Sequence, residues 1–182
     1  MFRRLCCCSP SQVSKQLSNQ NSPNDDISMS PNPSYGCTDN FESMNITWST
    51  ATPFVPPIDE GLVIKCYDGD TITVAAKMPY KGSIVYRFSV RLAGIDCPEM
   101  KSKNSSEKEC AQLAKDEVTE LVLNKIVFLK NVQTEKYGRI LADVYIDDLH
   151  LNQHLLDKRL AVVYDGGTKK IPDDWMEYYS VA

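Results

Sequence analysis

No apolar run in this chain approaches the roughly 18 residues that a membrane-spanning helix requires. The stretch Leu5 to Cys8 is also too short for the core of a secretory signal, so neither a span nor secretion is expected. A basic excess is missing as well. The net charge is −4 and the isoelectric point about 5.2, which excludes a broad basic surface for gripping nucleic acid and restricts phosphate binding to a local site. No cysteine pair has C-x-x-C spacing. Of the seven cysteines, Cys6, Cys7 and Cys8 are adjacent, and Cys37, Cys66, Cys97 and Cys110 form no disulfide-like framework, so a reducing, cytoplasmic environment is expected. Position 2 is Phe2 and not the glycine that myristoylation needs. Arg3 and Arg4 beside Cys6, Cys7 and Cys8 do fit S-acylation, which would hold the chain on the cytosolic face of a membrane. An inert tip is the alternative. His150 and His154 lie four apart, but no carboxylate or thiol partner accompanies them in the pattern. They are read as structural or surface residues rather than metal ligands.

What is present is enough for one domain. With 182 residues and 42% hydrophobic content, the chain can bury an ordinary core and still carry a tail. Residues 1–57 are rich in Ser, Asn, Gln and Pro and lack apolar periodicity. They are expected to be a disordered tail, because too little apolar area is available to offset the entropy of ordering. Trp48 and Phe54 make its last part the segment able to pack on the domain, which is placed at 58–182.

Within 58–182 the chain reads as α+β, mainly β. Leu62–Tyr67 and Thr71–Ala76 are β-branched runs joined by Asp68-Gly69-Asp70, a hairpin signal. A third strand runs from Ile84 to Ile95 and stops at Pro98, which cannot donate to a ladder. Ser106-x-x-Glu109 predicts a capping box for a helix over about 105–124. Strands follow at Lys125–Leu129 and Ile140–Ile146, a second helix at Leu151–Leu160, and a short third helix begins at Pro172-Asp173-Asp174-Trp175.

Three motifs carry chemistry. In Arg91-Leu92-Ala93-Gly94-Ile95-Asp96-Cys97-Pro98-Glu99, charges punctuate an apolar run, and buried charges require partners. Asp68-Gly69-Asp70-Thr71 and Lys136-Tyr137-Gly138-Arg139 can supply them. Asp70 and Asp96 offer anionic oxygens suited to a hard cation such as Ca²⁺. Glu99, fixed by Pro98, is the candidate general base. Arg91 and Arg139 can donate bidentately to a phosphoryl group and stabilise the charge of a five-coordinate transition state. Taken singly, each has an ordinary reading: turn-forming aspartates, a loop glutamate, and arginines salt-bridged to nearby acids.

In this order and spacing the three motifs resemble the staphylococcal nuclease family, over about residues 60–170. The resemblance implies a five-stranded OB-type barrel with about three helices. It implies calcium bound by Asp70 and Asp96 with the backbone carbonyl of Cys97, where the family usually has threonine. Lys136 and Tyr137 are similar to the pair that contacts nucleotide, and Tyr164 to a base-stacking platform. Glu135 stands where aspartate is commoner. The implied activity is calcium-dependent hydrolysis of DNA, and of RNA, at the 5′ P–O bond, leaving 3′-phosphate ends, by a monomer. A non-catalytic barrel that binds nucleic acid or protein is the rival, and it would have no reason to keep all five acids and arginines.

Overall fold

Alternation of apolar and polar residues sets the architecture. In a computed structural model that describes residues 44–181, eight strands and three helices follow in the order β1 (Glu60–Cys66), β2 (Thr71–Lys77), β3 (Val85–Leu92), β4 (Ile95–Asp96), α1 (Ser105–Val122), β5 (Ile126–Thr134), β6 (Ile140–Ile146), β7 (Leu149–His150), α2 (Leu151–Asp157), β8 (Val162–Val163) and α3 (Trp175–Ser180). Cys6, Cys7 and Cys8 and most of the expected tail lie outside the described residues.

The five long strands pair in the order β3-β2-β1-β5-β6, and a parallel β3–β6 contact closes them into a barrel. β6 shows the cause most cleanly: Ile140, Ala142, Val144 and Ile146 are buried and the residues between them are not, as a period of two requires. Val63, Ile72, Val74, Val90, Leu92 and Val127 fill the interior from the other strands. The helix α1 lays Cys110, Ala114, Val118 and Val122 against this core, the i, i+4 spacing of one helical face. Fully burying each valine contributes about 1.5–3 kcal/mol. Asn124, at φ 60°, turns the chain out of the helix in the left-handed conformation asparagine tolerates.

Three local expectations change. The run from Ile84 to Ile95 is not one strand, because Gly94 at φ 75° breaks it. Beyond the break, β4 leaves the barrel and pairs with β8. The second helix ends at Asp157 rather than Leu160, and Arg159 at φ 52° follows. The capping box does not form. Asn104 caps α1, its Oδ1 accepting from the Ser106 amide at 2.9 Å, while the Ser106 hydroxyl donates to Asp174 Oδ1 at 2.6 Å. Asp174 is the N-cap of α3, and Ser106, already inside α1, serves that far helix instead, its Oγ also accepting from the Met176 amide at 3.1 Å.

At the other boundary Trp48 is 98% exposed, and Phe54 contributes its carbonyl to the Thr134 hydroxyl at 3.1 Å. One exposed hydrogen bond is worth about 1 kcal/mol. A chain beginning at Pro57 is therefore expected to lose no more than about 5 °C in its thermal midpoint, followed by circular dichroism. A larger loss would place Trp48 or Phe54 inside the folding unit.

Candidate active site

Register brings the motifs together. Thr71 pairs with Arg91 across β2–β3, which sets Asp70 beside that arginine. The closing contact pairs Val90 with Ile140 and Arg91 with Leu141, which brings Arg139 to the same rim. The Gly94 turn then sends Asp96, Cys97 and Glu99 back across the mouth. A cavity of about 340 Å³ results, and Asp70, Arg91, Asp96, Cys97, Glu99, Lys136, Tyr137, Arg139 and Tyr164, all singled out in the sequence, line it. Arg91, Glu135, Lys136 and Tyr164 also border an adjoining recess of about 450 Å³, whose apolar wall includes Leu92, Ile95 and Leu141.

Arg91 is the hub. Its Nη1 donates to Asp70 Oδ2 at 2.6 Å and its Nη2 to Asp96 Oδ1 at 2.8 Å. Burial alone would lower the guanidinium's pKa, but the two carboxylates outweigh it and raise it. The Thr71 hydroxyl donates to Asp70 Oδ1 at 2.9 Å, and the Cys97 amide to Asp70 Oδ2 at 3.3 Å. Asp70 and Asp96 are therefore fixed in direction as well as buried. Arg139 makes one ion pair, from Nε to Glu135 Oε1 at 2.6 Å, and both residues line the cavity. Glu99 is two-thirds exposed at the mouth, and its amide is held by Glu107 Oε1 at 3.1 Å.

Lys169 escaped the sequence reading. Its Nζ lies 2.8 Å from Asp96 Oδ2 and 3.5 Å from Glu99 Oε1. Burial lowers its pKa, and the two acids more than reverse that. The residue sits in the loop between β8 and α3, where no periodicity marks it. Its only signal is the basic pair Lys169-Lys170 placed just after Gly166-Gly167. His150 and His154 do not form a site together: His154 Nε2 pairs with Glu117 at 2.7 Å, whereas His150 stacks on Tyr145.

The donor set fits a hard cation. Asp68, on the same turn, is pushed up to about 6 by burial first and then by the charge of Asp70, the direction that burial and a like charge both impose on a carboxylate. Burial first, and then Asp70, Asp68 and Asp96, raise the Cys97 thiol well above its usual range, so it offers no thiolate to a soft metal. Among the described residues no group of three or more His, Cys, Asp or Glu side chains is drawn into a ready cage. Asp70 and Asp96 instead reach toward one another around Arg91.

The turn itself is held by close packing. A Cβ on Gly69 would lie 2.7 Å from the Ala114 Cβ and 2.9 Å from Cys97 Sγ, so only glycine lets the Asp68–Asp70 turn approach α1 this closely. Gly69→Ala is expected to cost about 1–3 kcal/mol, as overpacking does, and to move Asp70 off Arg91. Denaturant unfolding, with cleavage assayed in parallel, reads both effects.

Residues 89–180 match the family model described as "Staphylococcal nuclease homologue". Asp70 lies before that span, and it is the barrel's register that attaches it to the site. The chain is 36% identical over 113 residues to the SPbeta prophage-derived endonuclease YokF of Bacillus subtilis, covering 59% of this chain and 36% of that protein. It is 35% identical over 113 residues to endonuclease YncB of the same organism, covering 59% and 50%. An uncharacterized endonuclease of Escherichia coli is 33% identical over 106 residues, covering 58% and 61%. The chain thus spans between about a third and three-fifths of the length of these relatives. With the matched region covering half of the sequence and the barrel carrying all three motifs on one rim, this chain belongs to the staphylococcal nuclease homologues.

Proposed function

We propose that the protein is a calcium-dependent nuclease that hydrolyses DNA and RNA, cutting the 5′ P–O bond and leaving 3′-phosphate ends. One observation carries the reading: Arg91 of β3, Arg139 just before β6 and the acids Asp70, Asp96 and Glu99 converge on one open cavity. A barrel used only for binding gains nothing from burying Asp70 and Asp96, since buried charges are costly to keep.

Arg91 and Arg139 bind the non-bridging phosphoryl oxygens, and their planar forks match the equatorial oxygens of the transition state better than those of the ground state. Glu99, beside the cavity mouth, accepts the proton of the attacking water. The 5′ oxygen then leaves with the bonding pair and takes its proton from solvent. Asp70, Asp96 and the Cys97 carbonyl would hold the cation, which when bound polarises a phosphoryl oxygen as a Lewis acid. Tyr164 and the adjoining apolar recess give a base a surface to stack on, and Lys136 and Tyr137 border the strand's path.

The test uses single-stranded DNA and RNA oligonucleotides of one sequence, labelled at the 5′ end and incubated with Ca²⁺. Products that run as 3′-phosphates and shift on phosphatase treatment are expected. Products with 3′-hydroxyl ends would overturn the assignment of the scissile bond.

A further inference from the structure

The β2–β3 hairpin is unlike the rest of the chain. From Thr71 to Val90 there is no Asp or Glu, although acids outnumber bases overall, and the hairpin carries Lys77, Lys81 and Arg87. Its end exposes apolar side chains to solvent. Ile84 is 66% exposed, Val85 57%, Tyr80 50% and Tyr86 38%. Neighbouring residues on a strand point to opposite faces, so exposure of Val85, Tyr86 and Arg87 in succession means that the β3 strand of this end shows side chains on both faces, while Ala76 and Met78 on the β2 side stay against the core. The tip is also built. The Met78 amide donates to Ser83 Oγ at 2.9 Å, the Ser83 amide to the Tyr80 carbonyl at 3.2 Å, and the Tyr80 and Tyr86 hydroxyls meet at 2.8 Å. Lys77 pairs with Val85 and Ala76 with Tyr86 to the last residue of β2.

We propose that this hairpin tip is a docking surface for an anionic lipid membrane. Exposed Ile84 and Val85, the tyrosines Tyr80 and Tyr86 among them and the cations Lys77, Lys81 and Arg87 on a hairpin that itself carries no acid match the acyl boundary, the headgroup level and the negative surface of such a membrane, the acids Asp59 and Glu60 lying only at the Lys77 base of the tip. Ile84 and Val85 argue against nucleic acid as the occupant, because aliphatic side chains do not stack on bases and a polar strand would leave them wet. Position agrees. Asp70 lies at the start of β2 and the tip at its end, and seven residues of strand span roughly 20 Å. Docking by the tip therefore leaves the cavity open to solution. The cluster Cys6, Cys7 and Cys8 beside Arg3 and Arg4 in the sequence is chemistry of the same kind, and a weak contact gains from a second attachment.

The test is co-sedimentation of the full chain, made in bacteria and so without acylation. The vesicles are phosphatidylcholine alone or phosphatidylcholine with phosphatidylserine. The unsubstituted chain is expected to partition onto the serine-containing vesicles and to be released by salt. The double variants Ile84→Asn/Val85→Asn and Lys77→Glu/Lys81→Glu are each expected to lower that partition at least about tenfold, with the thermal midpoint and the rate of plasmid cleavage unchanged. The lysine pair sits at exposed positions and carries the test by itself should the apolar variant fail to fold. Equal partition onto both vesicle types, binding by the variants equal to that of the unsubstituted chain, or loss of oligonucleotide affinity in place of vesicle binding would overturn the proposal. The last of these would mark the tip as a nucleic-acid surface.

Discussion

Arg139→Ala is expected to lower the kcat of DNA cleavage by roughly 10³-fold, with KM and the thermal midpoint little changed. The magnitude is that of a guanidinium whose bonds strengthen as charge develops on the phosphoryl group, and the preserved KM follows because such bonds are weaker in the ground state. Stability is spared because Arg139 makes a single, part-exposed ion pair with Glu135, and pairs of that kind contribute about 1 kcal/mol or less. Arg139→Lys is expected to recover little, since an ammonium cannot present two parallel donors. Arg91→Ala differs in a way the geometry makes plain. It holds two carboxylates whose side chains are 6% and 5% exposed, and removing the shared cation leaves Asp70 buried with only neutral donors and Asp96 with Lys169 alone, at about 3–5 kcal/mol. Loss of activity there comes with loss of stability, so Arg139 is the cleaner probe of catalysis. Normal turnover in Arg139→Lys, measured on folded protein, would contradict the bidentate contact.

A large effect on stability is also expected at Asn152, away from the cavity lining. This residue of α2 is 3% exposed. Its Oδ1 accepts from the Val144 amide at 3.0 Å, and its Nδ2 donates to the Ala93 carbonyl at 2.8 Å and the Ala142 carbonyl at 3.3 Å. One side chain thus ties α2 to β6 and to the turn that carries the chain from β3 to β4. The Ala142 carbonyl keeps another donor, the Ala93 amide, but the Val144 amide and the Ala93 carbonyl would lose these bonds. At about 1–3 kcal/mol for each buried group left unsatisfied, Asn152→Leu is expected to cost roughly 2–5 kcal/mol. That corresponds to about 5–15 °C in the thermal midpoint of a domain of this size. Because Ala93 and Gly94 aim β4, cleavage should also fall at temperatures where the variant remains folded. A midpoint within about 2 °C of the unsubstituted chain would show that the bonds are not coupled to the fold.

The motifs were legible because they coincide with strand ends, and strand ends are where register acts. Asp70 precedes Thr71, Thr71 pairs with Arg91, and Arg91 pairs with Leu141, so three short patterns far apart in the chain specify one rim. Lys169 was not legible, since it reaches Asp96 only through the β4–β8 pairing and a loop without periodicity. Asn152 reads from sequence as an ordinary polar position on an amphipathic helix, because nothing local shows that the turn after β3 folds over it. Ser106 misled for a related reason. Its pattern with Glu109 is that of a capping box, but the acceptor it finds, Asp174, lies 68 residues further on. Local patterns gave the elements, and long-range polar partners were the part they could not encode.

The central claim is that Asp70, Arg91, Asp96, Glu99 and Arg139 form one hydrolytic site that works with a hard cation, rather than a network of ion pairs on the rim of a binding barrel. Degradation of supercoiled plasmid by the full chain, followed on agarose with Ca²⁺ and then with excess chelator, tests it most directly. The account predicts nicked and then fragmented DNA with Ca²⁺, and cleavage slowed by at least about 10²-fold in chelator, restored when Ca²⁺ is returned. Plasmid left intact under both conditions by folded protein, or cut at the same rate in both, would contradict it.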